Sequence, residues 1–129
     1  MVIFFFIFAS AICGVFKAIA DRVSSYDLWV NSVFSEFEDD GFFGPKDITW
    51  ERKYRYDSKI ARYLFSTILV FTTDIWHFAN FVSFYHSVAV VVLAVYIGEE
   101  NILWLISFPA VRTLTFHIFY HYILYRKSS

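Results

Sequence analysis

Residues 63–98 read YLFSTILVFTTDIWHFANFVSFYHSVAVVVLAVYIG, and how this run is divided decides the fold. As one helix its 36 residues would extend roughly 54 Å, against a hydrocarbon core of roughly 30 Å. The run is therefore expected to form two membrane helices, over 63–80 and 84–98. The turn between them is expected at residues 80–86, where Asn80, Ser83 and His86 interrupt the apolar pattern. The second half is rich in Val and Ala without charge, which suits a lipid-facing surface. Gly98, Glu99, Glu100 and Asn101 then read as a tight acidic turn. A last helix over 102–125 contains Pro109, Arg112, His117 and His121, and Arg126 and Lys127 anchor its end.

Upstream, residues 1–20 form another apolar segment of membrane-spanning length. Ala9-Ser10-Ala11 resembles a signal-peptidase triplet, but no basic region precedes the apolar core, so an uncleaved first helix is expected. Residues 24–38 are amphipathic. Tyr26, Trp29, Val30, Val33, Phe34 and Phe37 fall on one helical face, and Asp27, Asn31, Ser32, Ser35, Glu36 and Glu38 on the other. Ser24 or Ser25 suits the N-cap and Gly41 the stop. The expected setting is the headgroup layer or the flank of the bundle. Residues 39–62 make a polar loop in which Trp50, Tyr54 and Tyr56 mix with Arg52, Lys53, Arg55, Lys59 and Arg62, a composition suited to the membrane interface.

Composition agrees with this division. Hydrophobic residues are 58% of the 129, charged ones 18%, and there are 17 Phe and 9 Tyr. A soluble domain of this size cannot hide that much aromatic surface. A formal net charge of −1 gives no reason to expect nucleic acid as a partner. Cys13 is the one cysteine, so this sequence holds no internal disulfide and no cysteine metal cluster. Four spans would put the 21–62 loop and the C-terminus on opposite faces of the membrane. The loop has more Lys and Arg than the tail, so it is expected in the cytoplasm with both termini outside.

The polar residues inside apolar segments are the candidates for chemistry, because such groups are expensive in lipid. Asp74 and His77 lie three residues apart, and His117 and His121 four apart, each pair on one face of its helix. With the helix limits above, all four histidines, His86 included, share the leaflet far from the loop. Asp74, His77, His117 and His121 then make a candidate tetrahedral zinc shell. Two histidines on different helices suit haem b as the alternative. Arg112 needs a partner, and Asp74 is the one acid within the expected spans. No glycine-rich phosphate loop and no nucleophile–histidine pattern stands out.

Pro45-Lys46-Asp47-Ile48-Thr49-Trp50-Glu51-Arg52-Lys53-Tyr54 and, further on, Thr73-Asp74-Ile75-Trp76-His77 and Thr115-Phe116-His117-Ile118-Phe119-Tyr120 resemble motifs of a group of short bacterial polytopic membrane proteins. The similarity runs over about residues 42–125 and favours Asp74, Trp76 and His77 over His117 and His121, which lie outside that pattern. It implies no activity. A weaker resemblance, carried by Asp74, His77, His117 and His121, is to the ceramidase-like membrane hydrolases, whose seven helices this chain is too short to supply.

The reading is an all-α protein: a bundle of three or four transmembrane helices with an interfacial amphipathic helix, in one membrane domain. A bacterial inner membrane is the expected location. The leading expectation is a non-enzymatic subunit or accessory factor of a larger membrane complex, in contact with lipid and with other membrane subunits or copies of itself. The alternatives are a metal- or haem-dependent enzyme or electron carrier, and ion or proton conduction through Asp74, His77 and Arg112.

Overall fold

A computed structural model describes residues 2–54, 57–97 and 102–127. The expected acidic turn at 98–101 and the Arg55 and Tyr56 part of the loop lie outside the described residues. Those described are helical apart from turns and one isolated antiparallel bridge, Ser32 with Tyr125. Three long helices carry the architecture: α1 (Val2–Arg22), α5 (Ile75–Ile97) and α6 (Ile102–Ile118), the last continuing into a π-helical turn, Phe119–Ile123. Between α1 and α5 come four smaller pieces: α2 (Tyr26–Val30) with a 3-10 turn at Val33–Glu36, α3 (Lys46–Thr49) running into a 3-10 turn at Trp50–Tyr54, α4 (Lys59–Ser66), and a 3-10 turn at Val70–Thr72.

α1 is the central helix. It packs along both α5 and α6, which scarcely touch each other. Phe6 and Ala9 meet Val90 and Phe108 at one end, while Ala18 meets Ile75, Phe116 and Phe119 at the other. α1 therefore runs antiparallel to α5 and parallel to α6. The contact with α6 is backbone to backbone at Gly14, where a Cβ would overlap Thr115 Oγ1 and the Arg112 carbonyl. Close approach at a small residue is how apolar helices associate where no hydrophobic force drives them together.

The turn at Val70–Thr72 lies against α5, while the pieces from α2 to α3 form a cap over the end of the bundle that holds Arg22 and Ile75. Its centre is aromatic: Trp29, buried, donates from Nε1 to the Phe43 carbonyl at 2.7 Å, and Phe34 and Phe37 pack on the Phe43 ring. The C-terminal tail returns to the same cap. Val33 N–H donates to the Leu124 carbonyl and Arg126 N–H to the Asn31 carbonyl, and the Arg126 side chain pairs with Glu36.

Three expectations about the elements are corrected. The amphipathic stretch is not one helix over 24–38. Ser25 takes the N-cap position, but the helix ends at Val30. Ser32 Oγ donates to the Trp29 carbonyl and accepts from Phe34 N–H, and the tail takes the neighbouring backbone groups. Side chains that bond their own backbone compete with helix in this way. Nor do residues 63–80 form a span. Ser66, Thr67, Thr72 and Thr73 each bond a carbonyl three or four residues back, and the chain there breaks into α4 and a 3-10 turn.

The turn expected at 80–86 is replaced by uninterrupted helix, because its polar residues find partners without breaking α5. Asn80 Nδ2 donates to the Trp76 carbonyl, His86 Nδ1 to the Val82 carbonyl, and Ser83 Oγ to the Cys13 carbonyl of α1. Among the described residues, two helices are long and apolar enough to cross a membrane, Phe4–Arg22 within α1 and Ile75–Tyr96 within α5.

Candidate functional site

Asp74 is wholly buried at the N-cap of α5. Asp suits that position because its carboxylate accepts from amide donors that the first helical turn leaves unpaired, at the positive end of the helix dipole. Asp74 Oδ1 accepts from the His77 backbone N–H at 2.9 Å. The first amide of the helix, Ile75 N–H, is taken instead by the Phe42 carbonyl at 2.7 Å, which ties α5 to the cap.

The second carboxylate oxygen holds the side chain of the same histidine. His77 Nδ1 donates to Asp74 Oδ2 at 2.7 Å. Thr73 Oγ1 also lies 3.3 Å from Oδ2, but its one proton is used at the Val70 carbonyl, 2.7 Å away. The Trp76 ring stands edge-on to the imidazole at 4.9 Å between centroids, and Lys46 Nζ sits 4.1 Å over the Trp76 ring. The imidazole is thus fixed in orientation and in tautomer. A carboxylate only accepts, so Nδ1 carries a proton, and in the neutral form of the ring Nε2 is the acceptor.

His77 lines a cleft of about 460 Å³. One wall is a stripe of α5 at helical spacing: His77, Asn80, Phe81, Phe84 and Tyr85. The other is the segment just before the Asp74 cap, with Ile68, Val70 and Phe71, whose ring stacks on Phe81 at 4.1 Å. The stripe points away from α1, since the α1-facing residues of α5 are Ile75, Ala79, Ser83 and Val90. Chemically, the arrangement is an imidazole held by a carboxylate at one end of an aromatic groove.

The other expected site residues are elsewhere. Removing the 63–80 span moves Asp74 and His77 to the cap end of the bundle, so they lie on the loop side and not far from it. His117 and His121 are also near that end but project from the exposed face of α6, their rings stacked at 5.5 Å. His86 is bonded to its own helix, deeper along α5. The expected four-residue shell of Asp74, His77, His117 and His121 is therefore not assembled. Among the described residues no three His, Cys, Asp or Glu side chains converge as a metal shell.

Arg112 does not pair with Asp74. Its Nε donates to Cys13 Sγ at 3.3 Å, Cys13 Sγ lies 3.1 Å from Ser87 Oγ, and Ser87 Oγ donates to the Ser83 carbonyl at 2.8 Å. This chain of bonds crosses from α6 through α1 to α5 and was not foreseen in the sequence. The only signal for it was the presence of Cys13, Ser83, Ser87 and Arg112 inside apolar runs. The trio expected to conduct ions, Asp74, His77 and Arg112, is split between the end of α5 and this central relay.

No family model, curated protein or solved structure matches the chain.

Proposed function

We propose that this chain is a small integral protein of the bacterial inner membrane with three spans, α1, α5 and α6, and that it serves as a non-enzymatic subunit or accessory factor of a larger membrane complex. The observation that carries the membrane reading is the burial of α5. Only 17% of its apolar window is buried inside the protein. The core helix of a soluble fold is covered on all sides, whereas α5 leaves Val88, Val91, Val92 and Val95 exposed, as a helix solvated by lipid does. α6 with its π-helical turn supplies 17 and then five residues of continuous helix, roughly 33 Å in all.

Three spans also remove a conflict of charge. Four would separate the basic loop from the basic tail. With three, Arg22, Lys46, Lys59, Arg62, Arg126 and Lys127 gather at the cap, while the sequence joining α5 to α6 has two Glu and no Lys or Arg. The bias of Lys and Arg toward the cytoplasm then orients the cap inward.

The subunit role rests on the outer face of α6. Thr113, His117 and His121 recur there at four-residue spacing, all exposed, beside the small residue Ala110. Hydrogen-bonding side chains within a span are normally turned from lipid toward another helix. A photoactivatable residue at 117 or 121, in cells, is expected to give adducts with a second polypeptide, and the same residue at 91 adducts with lipid alone. Lipid adducts alone at all three positions, with a monodisperse monomer after purification, would remove the subunit reading.

A further inference from the structure

The Asp74–His77 pair is bonded in a way that a structural cap does not require. A cap needs only the carboxylate on the amides, yet the second oxygen of Asp74 holds the imidazole of His77, a residue that lines the cleft. From this we infer that the cleft is a binding site for a bilayer amphiphile with a hydroxyl-bearing head and a single hydrocarbon tail, the hydroxyl donating to His77 Nε2. The inference rests on α5 crossing the bilayer, as proposed above.

Four features select this occupant. The cleft lies on the face of α5 turned away from α1, so its ligand arrives through the plane of the membrane. Its polar end and its apolar end are in the order of a lipid leaflet. His77 is in the first turn of the span, and Phe81, Phe84 and Tyr85 follow toward the interior, the last about 12 Å deeper. With Nδ1 bonded to Asp74, the neutral form of the ring has Nε2 as an acceptor, which recognises a hydroxyl donor rather than an ester or an ether. The volume of about 460 Å³ is within the range of small-molecule pockets, and its walls are mainly aromatic and aliphatic, as such pockets are.

The test uses the full chain in vesicles with two probes: a monoacylglycerol carrying a diazirine in its tail, and the same molecule with both hydroxyls methylated. After irradiation, labelled residues are mapped by mass spectrometry. The hydroxylated probe is expected to label Phe81, Phe84 or Phe71 at least fivefold more than the capped one, and His77→Phe is expected to abolish the difference. Phe84→Trp fills the cleft from an exposed position without touching the helix cap, and it is expected to abolish cleft labelling too. Labelling of Val91 and Val95 by both probes reports that α5 lies in lipid. If these valines are labelled but the cleft reacts equally with both probes, or is indifferent to His77→Phe and Phe84→Trp, the binding site is overturned and the span stands. If the valines are not labelled, the span itself fails and the binding site with it.

Discussion

Arg22, the last residue of α1, donates from Nε and Nη2 to the single carbonyl oxygen of Tyr120, at 3.0 and 2.6 Å, while its guanidinium lies 3.8 Å from the centre of the Tyr120 ring. The π-helical turn makes this possible. Leu124 N–H reaches back to the Phe119 carbonyl, which shifts the bonding register at the end of α6. The Tyr120 carbonyl, left without a helical partner, is satisfied across the bundle. α1 and α6 are thereby latched at the cap end, as they are wedged together at Gly14 further along.

Arg22→Lys keeps the charge and loses the planar fork that bonds and stacks at once. Its expected cost is about 1–3 kcal/mol, read as a lower melting temperature in detergent together with faster proteolysis of the C-terminal tail. An unchanged Tm and an unchanged tail would show that the latch contributes nothing.

Asp74→Ala removes the cap of α5 and the partner of His77. The loss from the cap alone is about 1–2 kcal/mol. Asp74→Asn can still accept from the His77 amide and is expected to lose less than Asp74→Ala. Thermal unfolding of the two variants gives the comparison, and equal stabilities for Ala and Asn would contradict the capping role.

The division of the 63–98 run shows what the sequence carried and what it did not. That the chain is helical and has apolar runs of membrane-spanning length is plain from composition and pattern. The start of α5 was also written there, as Thr73-Asp74 before an apolar stretch, but read inside a supposed span Asp74 looked like an embedded acid instead of an N-cap. Asn80, Ser83 and His86 looked like a turn because hydropathy counts them as breaks. Each instead bonds a carbonyl of its own helix or of α1, and a linear pattern does not record which. In the linear sequence Asp74 is the one acid within the expected spans, while the partner of Arg112 is a thiol 99 residues away that only the packing of α1 on α6 brings near.

Gly14→Ala places a methyl against Thr115 Oγ1 and the Arg112 carbonyl, which are neighbours on α6. α6 must shift, at an expected cost of about 1–3 kcal/mol, and Gly14→Leu is expected to disperse the bundle. Tm and retention on size exclusion check both. Full stability of Gly14→Leu would mean that α1 and α6 are not in backbone contact.

Cys13→Ser preserves an acceptor for Arg112 and a donor for Ser87, so its stability is expected to stay close to the parent. Cys13→Val leaves Arg112 Nε without a partner, with an expected loss of about 1–3 kcal/mol. Combining Cys13→Val with Arg112→Met, which removes the charge as well, is expected to recover part of that loss. Strictly additive losses in this double-mutant cycle would contradict the Arg112–Cys13 bond.

Three helices that cross the membrane require the cap and the C-terminus to lie on one face. In a Cys13→Ser background, single cysteines at positions 35, 99 and 129 are challenged in sealed, right-side-out vesicles with a membrane-impermeant maleimide. Labelling is expected at 99, with 35 and 129 protected until the membrane is opened. Labelling of 35 and 129 on opposite faces, as four spans require, would contradict it.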